Sequence, residues 1–187
     1  MLLGGALLLR LVLALVTDGY PYDMSCFVAW GDKLASEGPA AFYSADYFAD
    51  YPPGYILVLG LVSLVRKALQ LSYESHWTYF LLALIPAICD CAAVVLLDHI
   101  SRRYMGQGRA QRCLVLFAAF CPLTLFDTGI WKQIDGAFAL PLLLCFWLLE
   151  ERRYLLAAVL YGVALAIKPQ ALLAGPVLTV CFLVAIA

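Results

Sequence analysis

The chain has 187 residues, 65% of them hydrophobic and only 13% charged, against roughly a quarter charged in an ordinary soluble domain. That balance is the composition of a polytopic membrane protein. A net charge of −1 with no basic stripe excludes a nucleic-acid partner. Of the seven cysteines, Cys26 alone lies outside an apolar run, so neither a disulfide framework nor a metal-ligand spacing emerges.

The first apolar run, residues 2–16, lacks the basic n-region and A-x-A cleavage site of a signal peptide. It reads as a membrane helix. Residues 17–55 then form the one long polar segment, with Asp18, Asp23, Asp32, Glu37, Asp46 and Asp50 among the chain's 13 acids. Within it Phe27, Trp30 and Leu34 recur at helical spacing, and Gly38-Pro39 closes the pattern. The spacing predicts an amphipathic helix over 24–37 lying in the headgroup layer. Tyr43, Tyr47, Phe48, Tyr51 and Tyr55 add interfacial aromatics.

Residues 53–65 decide the topology. If they span, Arg102, Arg103, Arg109 and Arg112 face outward, against the preference of basic loops for the cytoplasm. If they lie in the interface or re-enter from outside, those arginines and Arg152 and Arg153 become cytoplasmic; this second arrangement is the expectation. Further apolar runs fall at 79–97, 113–130, 137–149, 154–167 and 171–187, near the ~20 residues that cross a ~30 Å hydrocarbon core. The predicted fold is therefore all-α: a single membrane domain over 1–187 with five to six transmembrane helices, and interfacial helices in a long first outer loop. The loop 17–55, the turn 131–135 and the break 168–170 then share one outer face. The end inside an apolar run, 176–187, points to a module shortened at its C-terminus.

Tyr22-Asp23 with Trp30, Phe42-Tyr43, Asp50-Tyr51-Pro52-Pro53, Trp131-Lys132-Gln133-Ile134-Asp135 and Lys168-Pro169-Gln170 follow one another in an order that resembles the GT-C membrane glycosyltransferases. The likeness is to lipid-phosphate-glucose glucosyltransferases of N-glycan precursor assembly and to bacterial protein-mannosyltransferase-like enzymes, and it covers about Arg10 to Pro176, the N-terminal catalytic module. It implies transfer of a sugar, with inversion, from a polyprenyl-phosphate donor to a lipid, glycan or protein acceptor on the exoplasmic face of a bacterial cytoplasmic membrane. It implies no cofactor. The metal-using relatives carry a D-x-D or D-x-E pair; Asp18 and Asp23 are five apart and Asp46 and Asp50 four, so no metal is expected.

Under that resemblance Asp23 is the base; as a local signal it equally N-caps the helix that follows. Asp50, Tyr51, Tyr55, Trp30, Gln133 and Asp135 are the candidates for shaping the substrate pocket. Asp50 is otherwise a turn former, and Asp135 is otherwise a helix cap or a partner of Lys132, which stands where bacterial relatives usually show glycine. Lys168, Gln170 and Arg10 are the phosphate candidates, with Lys168 otherwise snorkelling from a helix end. Asp90 has to face the bundle interior, Asp127 goes with the outer site, and Asp98 with Arg102 makes a surface pair. Two other functions remain open at this point: a transporter or flippase lined by Asp90, Asp127 and Lys168, and an inactive glycosyltransferase fragment.

Overall fold

A computed structural model describes residues 2–44 and 46–186. Among them the regular structure is helix alone: α1 (Leu2–Val16), α2 (Pro21–Glu37), α3 (Pro39–Phe42), α4 (Pro53–Ala68), α5 (His76–Met105), α6 (Arg109–Ala119), α7 (Pro122–Thr124), a π-helix (Leu125–Trp131), α8 (Asp135–Glu150), α9 (Tyr154–Ile167), a 3₁₀ turn (Pro169–Ala174) and α10 (Gly175–Ile186). Helix is what such apolar segments must form in lipid, where every backbone N–H needs a partner within its own segment. Proline sets several starts: Pro21, Pro39, Pro53, Pro122 and Pro169 each stand at the head of an element, where the missing N–H costs nothing.

Two stretches are long and apolar enough to cross a membrane, His76–Met105 and Arg109–Trp131, and a third if the pair α1 and α2, bent by 95°, counts as one span. That is fewer than the five or six expected. The remaining apolar helices are shorter, α8 having 16 residues, α9 14 and α10 12. The right-angle bend after α1 sets α2 across the axis of α1, the disposition expected of a helix lying flat beside a spanning one.

Side-chain pairs fix the register of the bundle. α1 runs antiparallel to α5: Arg10 pairs with Asp90 at 3.1 Å and Asp18 with His76 at 2.6 Å. α6 runs back along α5, with Gln111 Nε2 donating to Asp98 Oδ1 at 2.7 Å. α8 follows α5 in the same direction, from Gly136 against Asp90 and the Pro86 carbonyl to Glu151 against Arg103. A Cβ at Gly136 would stand 2.8 Å from that carbonyl oxygen, so only glycine allows α8 this close to α5. The bundle thus has two chemically distinct ends. One collects Asp18, Asp23, the turn 131–135 and Lys168; the other collects Arg102, Arg103, Glu150 and Glu151.

Both ends of α4 stay with the first of these groups. Its start packs Gly54 against the carbonyl of Ala166, two residues before Lys168, and its last turn sends Arg66 Nη2 to Asp32 of α2 at 2.7 and 2.8 Å. The loop that follows returns Tyr73 Oη to the Ser25 carbonyl at 2.6 Å. α2 and α4 form the main hydrophobic core, in which Met24, Phe27, Trp30, Tyr55, Ile56 and Leu59 are buried with Phe42 and Ile134. Gly31 makes the approach possible: a Cβ there would lie 2.5 Å from the Leu59 carbonyl oxygen.

Candidate active site

Asp23 does not cap its helix. The helix starts at Pro21 with Tyr20 as N-cap and no side-chain cap bond, so Asp23 sits inside the first turn. Its Oδ2 instead accepts from Trp131 Nε1 at 3.1 Å and from Gln133 Nε2. Both donors reach the same oxygen, and Oδ1 has no protein partner among the described residues. The Tyr20 N–H donates to the Trp131 carbonyl at 3.3 Å and the two rings lie 5.8 Å apart, which ties the start of α2 to the turn after the π-helix.

That turn is built by Lys132. Its backbone has φ 65° and ψ 40°, the left-handed region that glycine enters without penalty. Its side chain is 0% exposed and runs back to the end of α1, where Nζ donates to the Ala14 carbonyl and to Thr17 Oγ1, each at 2.9 Å. A cation at a helix C-terminus meets the last carbonyls favourably. Lys132 therefore does not pair with Asp135. Burial pushes its ammonium down from 10.5 to about 8, with the charge of Asp18 opposing.

Asp135 opens α8 after Ile134 and makes no side-chain cap bond. Its Oδ1 meets Lys168 Nζ across the gap to α9. Lys168, the extended residue between α9 and the 3₁₀ turn, lines a cavity of about 410 Å³ with Asp50, Tyr51, Pro169, Gln170, Leu172 and Leu173. The segment 46–52 delivers Asp50 and Tyr51 to this cavity, held by Tyr43 Oη on the Tyr51 carbonyl at 2.7 Å and Trp30 Nε1 on the Phe48 carbonyl at 2.9 Å. Tyr51 is where the cluster converges. Its phenol is held well above the ordinary tyrosine range, first by burial and then by the charges of Asp135, Asp23, Asp50 and Asp127.

Three candidates take other positions. Trp30, 4% exposed, and Tyr55, 1% exposed, belong to the core, with the Trp30 ring 5.3 Å from that of Tyr51. Arg10, 1% exposed, spends its guanidinium on Asp90 at 3.1 Å, the Ala6 and Ala119 carbonyls at 3.2 and 2.8 Å, and Thr124 Oγ1 at 3.1 Å. Four of its five N–H groups are taken by protein groups inside the bundle. Its partner Asp90, 9% exposed, faces inward as its place in an apolar run requires, and also accepts from Thr128 of the π-helix at 2.7 Å. This network is invisible in sequence because Arg10 and Asp90 stand 80 residues apart. It fixes the π-helix that carries Asp127 and aims Trp131. Such wide turns within helices frequently mark functional sites.

The site therefore assembles carboxylates, a lysine and an aromatic shelf at one end of an all-helical bundle whose apolar helices are those of a membrane protein. The chain belongs to glycosyltransferase family 87, the model of which matches residues 48–185. It is thus a glycosyltransferase by family, and the match includes Asp50, Tyr51, the turn 131–135 and Lys168. No curated protein and no solved structure matches the chain.

Proposed function

We propose that the chain transfers a sugar from a polyprenyl-phosphate donor to a hydroxyl of a lipid, glycan or protein acceptor, with inversion, on the exoplasmic face of the cell membrane. In this reading α8, α9 and α10 complete the five or six crossings, while α2 and α4 lie in the outer interface. The segregation of Arg102, Arg103, Arg109, Arg112, Arg152 and Arg153 away from the site supports that sidedness.

The observation that carries the proposal is the orientation of Asp23. Trp131 and Gln133 hold Oδ2, which leaves Oδ1 as the atom that takes the acceptor hydroxyl's proton. The acceptor oxygen then attacks the anomeric carbon from the face opposite the phosphate, and the carbon–oxygen bond to the phosphate breaks. The phosphate leaves with the electron pair and the configuration inverts. Lys168, positioned by Asp135 at the cavity wall, meets the charge that develops on the leaving phosphate. Gln170, on the same wall, offers an amide donor to it. Asp50 and Tyr51 shape the floor on which the sugar sits.

The test uses full-length protein reconstituted in liposomes and supplied separately with polyprenyl-phosphate hexoses and nucleotide hexoses. Transfer from the lipid-linked donor is the expected result. Transfer from the nucleotide sugar alone, or solute movement across the vesicle with no transfer from any polyprenyl-phosphate donor, contradicts the proposal.

A further inference from the structure

A cavity at the opposite end of the bundle is not used by this chemistry. It encloses about 510 Å³ between α1, α5 and α6, within the range of small-ligand sites of roughly 300–1,000 Å³. Leu3, Val95 and Leu116 furnish apolar walls, and Arg102 and Arg112 stand at the polar rim. The two arginines differ in what they have left to offer. Arg102 is spent on Asp98, with Nη2 at 2.8 Å and Nε at 3.0 Å. Asp98 is further held by Gln111 Nε2 at 2.7 Å, so its charge is already balanced within α5 and α6. Arg112 is exposed and has no acidic partner among the described residues. The cavity thus combines acyl-compatible walls with one uncompensated guanidinium at a bundle end where Arg103 and Arg109 also gather.

We infer that this cavity binds the phosphate-bearing headgroup of an anionic phospholipid, with Arg112 on the phosphate and an acyl chain along Leu3, Val95 and Leu116. A zwitterionic lipid presents the same tails without net charge, so the headgroup discriminates. Basic pockets between membrane helices recognise anionic headgroups by this means. The arrangement does not depend on which donor or acceptor the site at the other end uses.

The experiment is competitive lipid retention. Full-length protein in nanodiscs of equal parts phosphatidylglycerol and phosphatidylcholine is released into detergent, and the retained lipid is identified by native mass spectrometry. Phosphatidylglycerol should be retained preferentially. Arg112→Gln should reduce that preference about fivefold, the pull of one basic residue near an anionic surface. Val95→Trp, which fills the apolar part, should abolish retention of both lipids. Arg153→Gln, at the loop between α8 and α9, should leave the preference intact. Equal retention of the two lipids, an unchanged preference in Arg112→Gln, or an equal loss in Arg153→Gln overturns the assignment. Displacement of the lipid by inorganic phosphate alone would also overturn it, reducing the cavity to an anion site.

Discussion

The carboxylate of Asp23 accepts from the side-chain amide of Gln133, 110 residues further along the chain. This contact joins the first polar loop to the turn that precedes α8, and it explains why neither stretch forms the site alone. Trp131 makes the same connection through its indole N–H. The candidate site is therefore set by the register of α1, α5 and the π-helix, which places residues 20–23 beside residues 131–133.

The sidedness can be measured directly. Cysteines placed at the exposed positions Ser44 and Gln107, in a background without the native cysteines, should label from opposite sides in intact cells. Ser44→Cys should react with an impermeant reagent from outside, and Gln107→Cys only after permeabilisation. External labelling at position 107 would contradict both the topology and the exoplasmic site.

Lys168 is expected to act on the donor. Lys168→Gln should weaken binding of a polyprenyl-phosphate sugar by about 1.5–3 kcal/mol, the range for hydrogen bonds to a charged group, without reducing membrane insertion. Asp135→Asn should cost less, because it removes the partner and leaves the cation. Donor titration of the two variants and the double variant separates these contributions. Unchanged donor affinity in Lys168→Gln would leave the residue as a partner of Asp135 only.

Arg10 should behave in the opposite way. It is buried and paired within the bundle, so Arg10→Met leaves Asp90 without its cation and should destabilise the fold by about 3–5 kcal/mol. Donor affinity measured on the folded fraction should be unchanged. A variant with normal thermal stability and weakened donor binding would return Arg10 to the phosphate site.

Lys132 gives a pH prediction with a definite sign. Its folded-state ammonium sits at about 8, below the ordinary 10.5, through burial. Between these values the unfolded chain holds the proton and the folded chain does not, so stability rises as pH increases through that window. Lys132→Met should lose this rise and also the bonds to Ala14 and Thr17. Lys132→Gly should lose the bonds yet relieve the left-handed backbone, and be the less destabilised of the two. Thermal denaturation of the three proteins between pH 7 and 10.5 measures both effects.

The pattern Phe27, Trp30, Leu34 was legible as a helix, and the observed α2 contains the expected 24–37. The helix begins earlier because Pro21 is favoured at a first position, and that shift moves Asp23 from a capping place into the first turn. Which rings of the aromatic run would be buried was not legible: Trp30 and Tyr55 are covered because Gly31 lets α4 approach α2. The meeting of residues 131–135 with Lys168 agrees with the shared face expected for them, whereas the choice of partners was not legible. Local spacing offers Asp135 to Lys132; the positive φ of Lys132 turns its side chain toward α1 and leaves Asp135 to Lys168. Residue type announces that a buried charge needs a partner, and only the register of the helices names it.

The central claim rests on Asp23 as the base, and Asp23→Asn tests it most directly. Asn keeps an oxygen for Trp131 and Gln133 and fits the same first turn, so the full-length variant should express and melt close to wild type. It has no carboxylate to take the acceptor proton, and single-turnover transfer from a polyprenyl-phosphate sugar should fall by about 10²–10⁴-fold. A stable, folded variant with that loss is the predicted result. A stable variant that transfers sugar at the wild-type rate would contradict the claim and direct the search for the base to Asp50.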